Sequence, residues 1–347
     1  MAYTTIDDPT IYFNTKLYTG NGGTNAITGV GFQPDWVWVK RRDSSAAHYV
    51  WDVVRGAAVQ LYPASASSED AGQTNGLSAF GSDGFTLGSD AGPNVNSGTF
   101  ASWNWKAGTS FTNDASATGI GSIDSTGSVN QDAGFSICSY TGTGSTGTIK
   151  HGLNTAPAMI IVKNRSASQN WVVYHQSLGN TKAIFLSTTG AASTGSDWFN
   201  NTSPTSTVFS VGTYDAIVGN GHNLIAYCFA EKQGYSKFGS YTGNGSTDGT
   251  FSFTGFKVGW LMVKRTDSAN SWIIMDNKRT TFNPMGEELK AEVSDAGNVA
   301  TRWDQLSNGF KLRNAGGAVN ASGGTYIYMA FAENPFVTSG GVPATAR

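Results

Sequence analysis

The sequence has little charge and almost no cysteine. Only 13% of its 347 residues are charged and the formal net charge is -2, so we expect no basic surface for binding nucleic acid. Its two cysteines, Cys138 and Cys228, fit neither a disulfide framework nor a metal-ligand spacing. We expect both to be buried free thiols, because cysteine packs as a small hydrophobic residue.

Long apolar runs are also absent. No stretch approaches the roughly 20 residues of a membrane-spanning helix, and residues 1–8 lack the basic-then-apolar pattern of a signal peptide. The sequence therefore predicts no membrane insertion and no export by that route.

One cofactor motif occurs, and its context argues against a cofactor. Gly142-Thr-Gly-Ser-Thr-Gly147 matches the dinucleotide fingerprint GxGxxG. That fingerprint requires a helix to begin there, whereas the following residues indicate a strand. The four histidines show no metal-binding spacing. We predict a tight turn at the motif, no cofactor and no metal site.

What the sequence does contain is a threefold repeat. A Tyr-Thr-Gly string begins at Tyr18, Tyr140 and Tyr241. A Val-Lys step follows 22 or 23 residues later, at Lys40, Lys163 and Lys264. Twelve residues beyond each lysine stands Asp52, His175 or Asp276. Because the agreement continues over roughly a hundred residues, the chain consists of three copies of one unit.

Each copy has the pattern of short strands separated by turns. Trp36-Val-Trp-Val-Lys40 alternates, with both tryptophans on one face, whereas Met159–Val162 and Trp260–Val263 are apolar on both faces. The predicted fold is all-β, with three tandem homologous β-sandwich (jelly-roll-like) domains. We expect the three repeated lysines at equivalent strand ends, with their ammonium groups at the rim.

The repeat spacing sets the predicted boundaries. They are an N-terminal attachment arm (1–12), a first repeat (13–111), a Ser/Thr/Gly-rich linker (112–134), a second repeat (135–237), a third repeat (238–337) and a C-terminal tail (338–347). Since no linker separates the second and third copies, we expect them to be rigidly coupled, and the first copy less so.

Candidate catalytic residues do not recur. Asp52 and Arg55, like Asp276 and Arg279, place an acid and a base three residues apart, whereas the second copy has His175 instead. We interpret these residues as structural bracing, and the chain as not an enzyme. A polysaccharide-degrading enzyme is an alternative, because one copy alone could hold the two carboxylates that glycosidases use.

Aromatic residues are in excess, including ten tryptophans. Aromatic faces stack on sugar rings, although core packing is the alternative for most of them. The best ligand-binding candidates are Trp198, Phe199 and Asn201 in the loop 196–201, with Trp198 as a plug at the sandwich end as the alternative. Two other variable segments, 62–75 and 283–302, are further candidates for contact with glycan, because tandem arrays vary their loops.

The N-terminal segment has no counterpart before the other copies. It supplies the apolar residues Ile6, Ile11, Tyr12 and Phe13, which need a partner to cover them. We therefore predict that these residues attach the chain to a partner protein.

Three stretches carry a resemblance to a known family. Residues 1–22, the strand Asp35-Trp-Val-Trp-Val-Lys40 and the closing segment 325–336 resemble an uncharacterised family of tandem-repeat virion proteins of tailed bacteriophages, especially marine ones. The resemblance covers nearly the whole chain and brings no assigned catalytic or binding residues. It implies a structural protein located in the virion and assembled in the host cytoplasm.

Two virion roles follow from this resemblance. We favour a tail appendage, such as a fibre or receptor-binding protein, that contacts host-surface polysaccharide. The alternative is a capsid head decoration. Expected partners are other tail or capsid proteins, and a homo-oligomer such as a trimer is predicted.

Overall fold

The computed structural model describes residues 2–345 and has an all-β fold, as predicted. Its helices are single turns: a 3-10 turn at Pro9–Ile11, α1 (Ala91–Asn94), α2 (Ala115–Thr118) and α3 (Asp215–Val218). None of the helices in residues 2–345 has the length and apolar character needed to cross a membrane. Met1 in the predicted arm and residues 346–347 in the predicted tail lie outside the described residues.

The strands fall into three groups along the chain. The first group is β1 (Phe13–Thr19), β2 (Asn25–Thr28), β3 (Trp36–Arg41), β4 (His48–Asp52), β5 (Val59–Gln60), β6 (Asp70–Ala71), β7 (Leu77–Gly81), β8 (Gly84–Leu87) and β9 (Thr99–Trp105). The second is β10 (Thr109–Asn113), β11 (Ser125–Asn130), β12 (Phe135–Thr141), β13 (Gly147–Lys150), β14 (Met159–Asn164), β15 (Val172–His175), β16 (Lys182–Phe185), β17 (Ser193–Thr194), β18 (Val208–Val211) and β19 (Asn223–Phe229). The third is β20 (Ser236–Thr242), β21 (Phe251–Phe253), β22 (Phe256–Arg265), β23 (Ile273–Asp276), β24 (Glu287–Lys290), β25 (Asn298–Val299), β26 (Trp303–Leu306), β27 (Gly309–Leu312) and β28 (Thr325–Pro335).

The larger sheets of the three copies share one strand order. It runs β1-β9-β3-β4 in the first copy, β12-β19-β14-β15 in the second and β20-β28-β22-β23 in the third. Smaller sheets have the orders β2-β8-β7, β13-β18 and β21-β27-β26. The three lysines sit in the same register, opposite Ala101, Ile225 and Ile327. This agreement confirms the alignment on which the repeat rests.

The two faces of β3 pack against different parts of the molecule. Val37 and Val39 join a buried cluster with Phe85 of the smaller sheet. Trp36 and Trp38 lie in another cluster, which includes residues of all three copies. The prediction that the tryptophans share a face is confirmed. That face packs against the other copies, because alternation along a strand gives each face its own neighbours.

One apolar interior joins the three copies. Three pairs of rings from different copies are in contact, with centroids 4.6, 4.9 and 5.8 Å apart: Trp36 with Tyr227, Phe13 with Phe331, and Trp105 with Trp260. Large aromatic side chains each bury roughly 150–250 Å² and dominate the energetics of such an interior. The copies therefore share a core and form one body.

The first copy is bonded to both of the others. Arg42 forms an ion pair with Glu287 of the third copy at 2.7 Å, and Glu69 forms one with Arg165 of the second at 2.7 Å. The expectation that the first copy is coupled more loosely is wrong, because the bonds that join it lie between side chains distant in sequence.

The segment 112–134, predicted to be a linker, belongs to a sheet. β10 pairs with β11, and β11 pairs with β12 of the second copy. A side chain at Gly127 would place its Cβ 2.1 Å from the carbonyl oxygen of Ile137, so glycine is needed for this close approach. The segment lacks a clear apolar alternation because the edge strand β10 keeps most of its side chains out of the core, while β11 buries small polar residues such as Ser125 and Ser128.

The N-terminal segment is covered by the chain itself. Ile6 and Phe13 are buried in the shared interior, and the ring of Tyr12 lies 5.9 Å from that of Tyr235, the residue just before β20. Of the four residues predicted to attach the chain, only Ile11 is well exposed. The uncovered apolar surface that motivated an attachment arm is therefore reduced to one side chain.

Candidate functional site

The three repeated lysines join the copies to one another. All three side chains are fully buried. Each ammonium group donates to a carbonyl six residues ahead in its own copy, namely Ala46 (2.8 Å), Gln169 (2.6 Å) and Asn270 (2.7 Å). Each also donates, at 2.9 Å, to a carbonyl of a neighbouring copy, namely Ser294, Ala66 and Thr189 for Lys40, Lys163 and Lys264.

Of the two predictions made for these lysines, one is confirmed and one is wrong. Their equivalent positions are confirmed, but the ammonium groups do not lie at the rim. Burial lowers the pKa of each from 10.5 to about 8, because removal from water disfavours the charged form. Two carbonyl oxygens at each ammonium group replace the lost water.

A second donor crosses each boundary eight residues after the lysine. His48, Trp171 and Trp272 donate to the carbonyls of Lys290 (2.9 Å), Tyr62 (3.0 Å) and Phe185 (2.9 Å) in the neighbouring copy. At His48, the donor is Nε2, since Nδ1 accepts a hydrogen bond from the indole N–H of Trp38 at 2.9 Å. The repeat pattern did not reveal this role, because the first copy has His48 where the other two copies have tryptophan.

The acid and base pairs brace the same boundaries. The carboxylates of Asp52 and Asp276 lie 2.6 Å from Arg55 and Arg279, which confirms the predicted bracing. Each carboxylate also accepts a bond from another copy, from the Tyr227 hydroxyl at 2.7 Å and the Trp103 indole at 3.0 Å respectively.

The second copy has His175 where the other copies have Asp52 and Asp276, and the structure gives a physical reason. Met329 of the third copy stands in the register position of Tyr227 and Trp103 and has no donor group. A buried carboxylate there would lack its partner. His175 instead donates from Nε2 to the carbonyl of Tyr328 at 3.2 Å.

The joints close into a ring. The lysine bonds run from the first copy to the third, from the third to the second and from the second to the first. Each copy therefore presents one surface to one neighbour and a different surface to the other. A heterologous contact of this kind closes after three copies when the rotation between them is about 120°.

The ligand-binding candidates in the second copy are not grouped at the surface. Trp198 is 8% exposed and packs against Phe185 and Tyr214, and Phe199 is 1% exposed. Only Asn201 is exposed, at the tip of the loop. Trp198 and Phe199 are therefore too deeply buried to form the predicted stacking platform, because neighbouring rings pack against both. The alternative of a plug is the arrangement observed.

All ten tryptophans are buried. Their number therefore reflects the shared interior and the cores of the copies. The cysteines are buried free thiols, as predicted. The Gly142–Gly147 string lies between the strands β12 and β13, as the predicted turn requires.

Two of the variable segments meet in one cleft. Tyr62, Ser65 and Ser67 of the first copy face Glu292 and Asp295 of the third across a space of about 640 Å³. These residues belong to segments 62–75 and 283–302, which the sequence proposed as glycan-contacting loops. The cleft lies directly beside the joint where Lys40 binds Ser294.

Hydroxyl groups and carboxylates line this cleft. The hydroxyl oxygens of Ser65 and Ser67 lie 2.8 Å apart, and Asp295 is exposed. Glu292 is buried and accepts the backbone N–H of Trp272 at 3.0 Å. Burial raises the pKa of Glu292, and its hydrogen bonds offset only part of that effect. Neutral and anionic oxygen acceptors beside hydroxyls suit a polyhydroxyl ligand.

The described chain has no cluster of metal-ligating side chains. Within residues 2–345, no three His, Cys, Asp or Glu side chains are grouped so that they could hold a metal ion. His48, His151 and His175 each use both ring nitrogens in hydrogen bonds within the fold.

Comparison with protein families gives one match. A family described as a domain of unknown function, DUF7483, matches residues 8–335. The chain belongs to this family. The matched segment includes strands of all three copies. No curated protein and no solved structure matches the chain significantly.

Proposed function

We propose that this member of the DUF7483 family is a structural protein of a bacteriophage virion, and that it serves as a tail appendage contacting host-surface glycan. The observation that carries the proposal is the cleft between Tyr62–Ser67 and Glu292–Asp295. It is built from segments that differ among the copies, while the repeated residues are used in the ring. Binding loops placed on a rigid scaffold follow this division.

The same proposal includes three tandem homologous β-sandwich domains. Each copy has a larger and a smaller sheet, and a buried apolar cluster contains residues of both. Sheets that enclose a core between their inner faces define a sandwich. The domains would then be held by the shared interior, and not by flexible linkers.

Filling the cleft tests the glycan contact. Ser67→Trp would place a large side chain in the cleft, and we expect it to weaken adsorption to host polysaccharide about tenfold or more, because most of a ligand's surface is buried in such a site. Gly190→Trp is the matched control, since Gly190 follows Thr189 as Ser67 follows Ala66 at the lysine joints. Equal adsorption of the two variants would refute a glycan site here.

The tail and head roles differ in copy number. Quantitative mass spectrometry of purified virions should find a handful to a few dozen chains per particle for a tail appendage. Hundreds of chains would support the alternative of a head decoration on the capsid lattice. Absence of the chain from purified particles would refute the virion proposal itself.

An enzymatic role is the second candidate, because the cleft holds two carboxylates in unlike environments. Glu292 is buried with a raised pKa while Asp295 is exposed, and glycosidases use such a contrast between acid and base. Release of reducing sugar from host polysaccharide, lost in Glu292→Gln, would favour the enzyme. Binding without release would favour the appendage.

A further inference from the structure

Strand β21 is an edge strand with an unusual pattern of exposed side chains. It pairs with β27 on one side only. Phe251 and Phe253 are 44% and 55% exposed, while Ser252 between them is buried. The serine therefore lies inside the fold, and the two phenylalanines lie outside it. An edge that presents free backbone groups beside exposed apolar side chains is normally avoided.

The equivalent strands of the other copies have the opposite pattern. Each smaller sheet has a phenylalanine at the same position of the repeat. The residues paired with it are Ile27, Ile149 and Ser252 in the first, second and third copies. The outward residues are Ala26 and Thr28 in the first copy, and Thr148 and Lys150 in the second. The third copy instead places two large apolar side chains outward and a polar one inward.

The chain itself covers this edge in the second copy. Ser122 and Ile123 donate their backbone N–H groups to the carbonyl of Thr148 at 2.8 and 3.1 Å, and Ile123 pairs in parallel with Ile149. The Ser122 hydroxyl accepts the N–H of Thr148 at 2.9 Å. The covering segment thus sets a polar residue beside a polar one and an apolar residue beside an apolar one.

We propose that the β21 edge binds an extended segment of another protein chain, running parallel to β21 as residues 121–124 run along β13. In the second copy, apolar residues lie beside apolar ones and polar residues beside polar ones. By the same rule, the bound segment would place apolar side chains beside Phe251 and Phe253 and a small polar one beside Ser252. Backbone hydrogen bonds supply affinity in such strand addition, and alternate side chains supply specificity. This proposal does not depend on the glycan cleft.

Two synthetic peptides test the pairing. The first, Ac-Gly-Ile-Gly-Ser-Ile-Asp-Ser-NH2, copies the segment that covers β13. The second, Ac-Gly-Ile-Gly-Val-Ser-Val-Ser-NH2, has the inverted pattern that β21 requires. Isothermal titration calorimetry with the full chain should show the second peptide binding with a Kd in the range of about 0.1 to 1 mM, at least about tenfold tighter than the first.

Variants of the full chain locate the binding. Phe251→Thr with Phe253→Lys gives β21 the outward residues of the second copy, and we expect it to abolish binding of the second peptide. Thr28→Lys makes the corresponding change on the first copy's edge and should leave binding unchanged. Unchanged melting temperatures would show that both variants are folded.

Three results would overturn the proposal. They are no binding of the second peptide at millimolar concentration, equal binding of the two peptides, and binding that survives the double substitution. Sedimentation in the absence of peptide separates one more case. Self-association that the double substitution removes would mean that the edge pairs with a second copy of this chain, and the proposed partner would be wrong.

Discussion

At the scale of single residues, buried polar groups hold the ring together. Each lysine ammonium group is surrounded by carbonyls from two copies, and each buried histidine has one nitrogen that donates and one that accepts. Partners for such groups must be supplied by the fold, because a buried polar group without them is strongly destabilising.

Lys163→Met tests the contribution of one lysine joint. Methionine has a similar shape but leaves the carbonyls of Ala66 and Gln169 without their donor. We expect the free energy of unfolding to fall by about 2 to 4 kcal/mol, measured by urea denaturation. Lys182→Met, on an exposed lysine of the same copy, should change it by less than about 0.5 kcal/mol. A loss below about 1 kcal/mol for Lys163→Met would contradict the joint.

The buried histidines predict a loss of stability in acid. Burial lowers the pKa of His48 to about 3 and those of His151 and His175 to about 4, whereas the unfolded chain binds these protons near pH 6.5. The stability is therefore fully present above pH 6.5 and declines as the pH falls towards 4.

We expect the free energy of unfolding to be at least about 2 kcal/mol lower at pH 4.5 than at pH 7. Urea midpoints at the two values measure it. His175→Gln can donate to Tyr328 without titrating, so its pH dependence should be shallower than that of the parent chain. An identical pH profile would show that His175 does not contribute.

At the scale of elements, the polar segment 112–134 was predicted to be a linker and is instead part of a sheet. A free linker and a strand near a sheet edge have similar compositions, but only the strand is protected by pairing on β12. We predict that limited digestion with proteinase K leaves residues 109–130 uncut in the native protein, because local unfolding is needed for cleavage. Mass spectrometry of the fragments checks this. Early cleavage between β10 and β12 would contradict the pairing.

At the scale of the molecule, three copies share one interior, so they should unfold together. Calorimetry is expected to give a single transition with equal calorimetric and van't Hoff enthalpies. Lys40→Met should lower the melting temperature and still give a single transition, since Lys40 joins the first copy to the third. Two or three separate transitions would show that the copies are energetically independent. A homo-oligomer stays a prediction, and the ring already supplies threefold contacts within one chain.

The sequence alone determined the repeat, the all-β class, the equivalence of the lysines and the bracing by Asp52 and Arg55. These features depend on spacing and alternation, which are local. It also singled out segments 62–75 and 283–302 as variable. It did not reveal that they meet, because their contact depends on the closure of the ring.

Only the tertiary structure decided which apolar faces were available. Trp36 and Trp38 alternate as in any strand with one buried face, and the sequence cannot tell whether that face meets the smaller sheet of its own copy or another copy. For the same reason the sequence predicted the lysine ammonium groups at a rim, Trp198 as an exposed ligand-binding residue, and Phe13 as an apolar residue without a partner in the chain. In each case the covering group comes from a part of the chain distant in sequence, and local patterns carry no information about it.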